Sequence, residues 1–491
     1  MNKLSKIPEK FICEIWKNQN LTNKLITGDG KELEIIDRGE ENVEFGGPDF
    51  KNARIKIGSI TYVGDVEIDG YHSDWKNHGH NINKRFNSVI LHAILNSDGG
   101  QQFVYTKEGR KVQTVCISSL LTESLRSSIE KAIISEREKR MSRFTCEDLN
   151  HMINEEEKLN FLMELGLHRF RKKIEKIFNR LKEIKYVNEL KVKEPVVNYE
   201  PAAEYYKREF SAADFEDKEI WEQLFYELVF EALGYSKNQN VMTDLSRAVN
   251  LKFLRSLKNY DDFTAAIETS LFAVSGLVPT ENNPYQGEKY FQDYNSMWEH
   301  ISKIYDGETF DATQWHFMKT RPQNFPTLRI AGGARLAHKI IKERLLEKIF
   351  NTFSNPKNEK VILNSIRSMI IVKGEGFWSR HYSFENSNNV EIKYFVGASR
   401  ADEIIVNVIL PFALLYFETF KKKESAERVL KIYYDFIQAS ENNLVKEMSE
   451  ILHLKDAWKR SIIYQGMIDL FRSYCSKGNC LECKIGSGIF N

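Results

Sequence analysis

GGPDFKNARIKIGSITYVGDVEIDGYHSDWKNHGHNINKRFNSVILH, residues 46–92, holds the densest chemistry in the chain and decides how its first part is read. Ala53, Ile55 and Ile57 alternate with polar residues and predict one strand. TYVGDVEID, residues 61–69, predicts a second strand after a short Gly-Ser turn. Strand side chains alternate between faces, so Glu67 and Asp69 share one face, with Val66 and Ile68 on the other. Asp49 follows Pro48 where a turn enters the neighbouring strand. Pairing of the two strands would bring three carboxylates to one strand end. Such a cluster suits Mg²⁺ or Mn²⁺, which prefer carboxylate and water oxygens. A divalent ion held there lowers the pKa of a water and stabilises phosphoryl charge, as phosphodiester cleavage requires.

Working outward, residues 4–17 read as an amphipathic helix, with Phe11, Ile12, Ile15 and Trp16 on one side and Glu14 on the other. TGDG is a turn, and a short strand is expected over 33–36. On the other side, HSDWKNHGH puts His72, Asp74, His78 and His80 into nine residues, and His92 lies on an apolar run, 88–95, of buried-strand type. Imidazole and carboxylate at this density can hold Zn²⁺, Mn²⁺ or Fe²⁺, supply a general base, or simply make local hydrogen bonds. FVYT and KVQTVCI read as the arms of a hairpin.

From about residue 123 the apolar period becomes 3.6, and the chain reads as helical almost throughout. The organisation expected is an α/β domain over 1–122, a helical domain over 123–357 and a C-terminal helical region over 358–491. The helix at 155–185 is basic in its second half, with Arg171, Lys172 and Lys173. Arg321, Arg329 and Arg335 lie in TRPQNFPTLRIAGGARLAHKII. These six are the candidate phosphate contacts of a DNA or RNA partner, with Trp315 and Phe325 as candidates for stacking on bases. The competing reading is a solvated helix face, arginines that brace loops, and core aromatics.

The end of the chain carries Cys475, Cys480 and Cys483 as C-x4-C-x2-C. Three thiolates this close favour Zn²⁺ or an iron–sulfur cluster, and a fourth ligand is needed. Cys146 is the first choice, then Cys116, Cys13 or His453; free thiols are the alternative. With 491 residues, a net charge of +1 and 28% charged residues, the chain is not a globally basic nucleic-acid binder, although a local basic face remains open. The opening lacks a long apolar run, so no signal peptide is expected. Residues 404–417 are too few to span a membrane and contain Pro411. Six cysteines in so long a chain suggest a reducing cytoplasm rather than a disulfide framework.

The order helix–strand–strand–strand–helix–strand, with Pro48-Asp49 and Glu67-Ile68-Asp69, resembles the PD-(D/E)XK nuclease superfamily. The resemblance implies a restriction-endonuclease-like mixed central sheet with flanking helices, followed here by a large mainly α-helical region. It implies Asp49 and Glu67 as metal ligands, Asp69 as a third and Glu14 as an accessory helical carboxylate. The lysine of that pattern falls on Asp69, leaving Lys51, Lys56 or Lys84 to replace it, or His78 or His80 as the base. GPDF, GDVEI, SDW, HGH and VILH, then RPQNFPTLRIA, GASRADEIIVNVILP and the C-x4-C-x2-C ending, also resemble a bacterial family classed only as a domain of unknown function. That likeness covers nearly the whole chain and carries no activity. The function expected is metal-dependent cleavage of DNA or RNA. The alternatives are a catalytically inactive scaffold of the same fold, binding nucleic acid or a protein, and a histidine-rich metallohydrolase acting on a small phosphorylated substrate.

Overall fold

The computed structural model describes residues 9–17, 24–42, 47–97, 102–118, 144, 146–190, 205, 208–279, 288–317, 322–355, 358–384, 386–387, 390–437, 442–454 and 456–490. Arg321 and residues 119–143, which include the first part of the stretch read as helical from 123, lie outside them. The chain forms two compact units, one of residues 1–139 with 312–325 and one of residues 140–311 with 326–491. The boundary drawn at 357 therefore falls inside the second unit, and 312–325 returns to the first. Sequence periodicity marks elements but does not show which of them share a core.

In the first unit, α1 (Glu9–Lys17) is followed by β1 (Lys24–Ile26), β2 (Glu32–Asp37), β3 (Glu40–Glu41), β4 (Phe50–Ile57) and β5 (Ile60–Tyr71). Then come α2 (Asp74–Asn77), β6 (Val89–Asn96), β7 (Phe103–Tyr105) and β8 (Lys111–Cys116). They build a mixed sheet of order β1-β2-β4-β5-β6-β8-β7, with β3 beside β4. β2, β4 and β5 run antiparallel, whereas β5, β6 and β8 run parallel. The parallel step matters most for the site. It needs a crossover rather than a tight turn, and residues between β5 and β6 supply one from α2 and two short 3₁₀ turns.

Alternation gives the sheet two unlike faces. Ile12, Ile15 and Trp16 of α1 join Ile55, Val66, Ile68, Ala93 and Leu95 in one apolar cluster. Trp75, Phe86, Val89, Val104 and Val112 cluster separately. Full burial of one such side chain is worth about 1.5–3 kcal/mol. Glu67, Asp69 and His92 are almost wholly buried among these apolar residues. Burying them costs free energy unless each finds a partner.

The second unit is helical, with two small two-stranded sheets. Its principal helices here are α3 (Glu155–Leu190), α4 (Lys218–Leu233), α5 (Gln239–Ala248), α6 (Phe263–Ser275), α7 (Pro326–Lys342), α8 (Leu410–Thr419), α9 (Ser461–Ser473) and α10 (Lys484–Phe490). α3 packs along α9 and against α8, α4 against α5, and α6 against α7. Five residues before α8, Ile405–Ile409, widen into a π-helical turn. Among the described residues no helix is long and apolar enough to cross a membrane.

Candidate functional site

The site grows out of the register of β4, β5 and β6. Phe50 pairs with Val66, which sets Asp49 beside Glu67, and the β4 register shifts between Phe50 and Ala53, where Asn52 takes a positive φ of 59°. Backbone groups left over at this irregular entry are taken up by side chains. Asp49 N–H donates to Glu67 Oε2 at 3.2 Å, and Ile68 N–H donates to Asp49 Oδ2 at 3.0 Å. The two carboxylates thus clasp each other's strands. In the parallel pair, Glu67 lies opposite His92.

Imidazoles surround the same carboxylates. His80 Nδ1 is 3.1 Å from Glu67 Oε1. His78 Nδ1 is 2.9 Å from Asp69 Oδ1, and His92 Nε2 is 3.0 Å from Asp69 Oδ2. Asp69, His80 and His92 are fully buried, Glu67 nearly so, and the His78 side chain keeps 18% of its exposure. Burial alone would push the Asp69 carboxyl up. His80, His78 and His92 outweigh it and hold the group well below the usual carboxylate range. Burial, then the nearby Asp69 charge, raises the Asp74 carboxyl, which accepts the Tyr71 N–H at 2.9 Å.

His78 and His80 are two apart, so a strand would be needed to put both on one face. The chain uses a different device. His78 caps α2, Gly79 turns left-handed at φ 76°, and His80 opens a 3₁₀ turn. The two rings meet with centroids 5.4 Å apart. Trp75 lies 5.2 Å from both His80 and His92, and Phe86 4.2 Å from His80, so the rings are wedged by aromatics. Gly79 is irreplaceable on two counts: the left-handed backbone costs other residues about 1–2 kcal/mol, and an added Cβ would lie 2.7 Å from Phe317 Cβ. Gly79→Ala is expected to lower the unfolding temperature of this unit and weaken Mn²⁺ binding. Thermal unfolding with and without Mn²⁺ checks both, and an unchanged pair of curves would refute the role given to this turn.

Ligand atoms of Asp69, His78 and His80 all lie within 4.8 Å of one another. One carboxylate and two imidazoles suit Mn²⁺, Zn²⁺ or Fe²⁺ better than Mg²⁺. The group that could hold a metal ion is thus centred one alternation further along β5 than the Asp49/Glu67 pair expected from sequence, and those two are tied to backbone amides. Glu14 falls on α1, which packs against β5, but its side chain is outside the described residues. Lys56 pairs with Glu34 at 3.8 Å across the β2–β4 ladder, so it serves the sheet. The sequence reading missed Thr114, whose hydroxyl stands 3.4 Å from His72 Nδ1 and 3.5 Å from His92 Nδ1. Its signal was pairing: Thr114 lies opposite His92.

The expected phosphate contacts divide differently. Arg171 and Lys172 are exposed. Lys173 turns inward, donating to Gln465 Oε1 at 3.1 Å and to Asn407. Arg329 is buried and donates to Tyr235 Oη at 2.9 Å and to the Phe395 carbonyl. Arg335 is held by Glu268 and, at 3.1 Å, by Glu375. Arg329 and Arg335 therefore brace α7 rather than face a nucleic acid. Trp315 and Phe325 are core, at 2% and 1% exposure. The basic half of α3 borders a cavity of about 810 Å³ whose wall also carries Glu175, Glu183, Glu227 and Glu231. Arg180 binds Glu227 at 2.8 Å and Lys176 binds Glu231 at 2.6 Å, so acids from α4 neutralise much of this face.

In the second unit, Cys146, Cys475, Cys480 and Cys483 line one small cavity with Phe144, Tyr474 and Gly486. Burial, then Cys483, Cys146 and Cys480, push the Cys475 thiol up to about 12. Cys116, a weighed alternative, instead donates its thiol to the Leu95 carbonyl in the first unit.

No curated protein and no solved structure matches the chain. A family described as "Protein of unknown function (DUF2851)" matches residues 9–191 and 208–443. These spans include β4 to β6 with every residue of the histidine–carboxylate cluster, and the chain belongs to that family.

Proposed function

We propose that this protein is a metal-dependent phosphodiesterase of nuclease type, cleaving DNA or RNA at the strand-end cluster of the first unit. The observation that carries the reading is the meeting of Asp69, His78 and His80 within 4.8 Å beside Asp49 and Glu67. The sheet supports it: after α1 comes an antiparallel run, β1 to β5, then a crossover and the parallel strand β6, which includes the helix–strand–strand–strand–helix–strand order that the resemblance implies. Ligands of open α/β sheets commonly bind beyond the carboxyl ends of parallel strands, and Asp69 lies near that end of β5.

In this reading Asp69, His78 and His80 hold the cation, which supplies Lewis acidity toward a water and a phosphoryl oxygen. Glu67 Oε1 lies 3.1 Å from His80 Nδ1, a carboxylate beside a ligand imidazole of the kind that supports metal sites. His92 supports Asp69 from the opposite oxygen. His78, with Nδ1 on Asp69 Oδ1, is the member of the trio reached by solvent. Mn²⁺ is the cation common to the two readings of this stretch, Mg²⁺ or Mn²⁺ for the carboxylates and Zn²⁺, Mn²⁺ or Fe²⁺ for the histidine cluster.

A second reading, a non-catalytic scaffold of the same fold, is favoured by how fully these carboxylates are engaged within the protein. The deciding experiment measures cleavage of linear and circular DNA and of single-stranded RNA with Mg²⁺ or Mn²⁺. It compares wild type with Asp69→Asn and His78→Ala, with a small phosphoester as the parallel substrate. Cleavage lost in both folded variants supports the nuclease. Turnover of the small ester alone moves the assignment to a metallohydrolase. Folded, Mn²⁺-binding wild type that cleaves none of these substrates leaves the scaffold.

A further inference from the structure

Far from the proposed site in sequence, the second unit gathers four of the six cysteines around one small space. Cys146 sits in the turn before α3, Cys475 and Cys480 each open a 3₁₀ turn after α9, and Cys483 immediately precedes α10. Residues more than three hundred positions apart in the chain are thus brought to the same wall. Chance packing of buried thiols does not require this convergence, since a free cysteine behaves as a small apolar residue and can sit anywhere in a core.

We propose that Cys146, Cys475, Cys480 and Cys483 form a closed tetrathiolate site for one zinc-class divalent cation, which fastens the segment 474–490 to the foot of α3.

Three features carry this beyond a count of cysteines. The first is the enclosure. Besides the four thiols only Phe144, Tyr474 and Gly486 line the space, and a site with four sulfur ligands is structural rather than catalytic. The second is size. The space is about 20 Å³, room for about one water-sized sphere, which suits a single ion. The third is the backbone around Cys483, whose sulfur accepts hydrogen bonds from the Ile485 and Gly486 amides. Gly486 is needed for that turn, because a Cβ there would lie 2.2 Å from the Cys480 carbonyl oxygen.

A bound ion would draw together thiols that now line the cavity walls. Neighbouring contacts already tie the start of α3 to the segment 474–490 and to residues 451–452. Lys484 pairs with Glu164 of α3 at 2.5 Å. Buried Asn150 donates to the Ile451 carbonyl at 2.9 Å and accepts from Lys158 at 2.7 Å, while Lys158 also donates to the Leu452 carbonyl at 3.0 Å. The cation would close the same junction at its outer end, where α10 and the turn before α3 meet.

The test is metal analysis of the full-length protein purified without added metal, followed by removal of the ion with a mercurial and replacement by Co²⁺. About one zinc per chain is expected at this site, and the cobalt form should show thiolate-to-cobalt charge transfer with the d–d bands of a tetrahedral sulfur site. Cys146→Ser and Cys480→Ser should each lose that equivalent and unfold at lower temperature, while Cys116→Ser and Asp69→Asn should keep it. Because a serine variant can fail to fold, the cobalt spectrum of the wild type stands as the independent readout. Iron with visible absorbance, zinc that survives Cys146→Ser, or cobalt bands lacking sulfur charge transfer would each overturn the proposal.

Discussion

Asp69→Asn is expected to leave the first unit folded while abolishing Mn²⁺ binding at the strand-end cluster and, with it, phosphodiester cleavage. Asparagine keeps the shape of the side chain and can still pair with His78 on one side and His92 on the other. What it removes is the negative charge, which is the one anionic contribution to the trio of ligand atoms. Loss of an outer-shell partner such as His92 costs about 10–100-fold in metal affinity or activity. Loss of the ligand itself should exceed that. Asp69→Ala is a different experiment, because it strips two buried imidazoles of their partner, and breaking a buried pair costs about 3–5 kcal/mol. Calorimetric titration with Mn²⁺, beside thermal unfolding, separates the two effects. A folded Asp69→Asn protein that binds Mn²⁺ and cleaves like wild type would end the assignment of this residue.

Gly466→Ala is expected to destabilise the helical unit by about 3 kcal/mol or more. The opposite sign would be anticipated from helix propensity, since alanine is favoured over glycine by about 1 kcal/mol within a helix. Contact geometry reverses it. An added Cβ at Gly466 of α9 would lie 2.0 Å from the Leu162 carbonyl oxygen of α3. The same holds in the other direction, where a Cβ on Gly166 would lie 2.0 Å from the Ile462 carbonyl oxygen. The obstacles are backbone atoms, which have no rotamer to escape into. The helices must move apart, loosening the packing of buried Leu162, Leu165, Ile462, Ile463 and Met467 along their seam. Once one alanine has separated the pair, the second clashes less, so Gly166→Ala and Gly466→Ala should combine to less than their sum. Urea unfolding of the single and double variants checks both statements. A change below about 0.5 kcal/mol in either single variant would show that the helices yield cheaply.

The sheet was readable because its signals are local. Alternation at Ala53, Ile55 and Ile57 and the apolar run through His92 each mark a strand with little help from the rest of the chain, and the strands observed extend those segments by only a few residues. Alternation also put Glu67 and Asp69 on one face before any fold was known. The identity of the ligand group was not readable in the same way. His78 and His80 reach the same carboxylates because Gly79 reverses the backbone between them, and a left-handed glycine leaves no periodic trace. Asp49 and Glu67 spend oxygens on backbone amides because β4 shifts register at its start, which spacing cannot disclose.

Charge behaved likewise. The sequence alone determined that α3 is basic in its second half and that arginines crowd the start of α7. Only the tertiary structure decided that Arg329 and Arg335 are consumed within the unit and that α4 carries the acids facing α3. Cysteine spacing alone marked a C-x4-C-x2-C ligand set, whereas the meeting of Cys146 with that set depends on the packing of α3 against α9. The division follows from the range of the forces. Period, turn chemistry and face are fixed within a few residues by backbone sterics and burial. The partner of a buried charge is fixed by which distant segment the fold places within about 3–4 Å of it, and no local rule contains that distance.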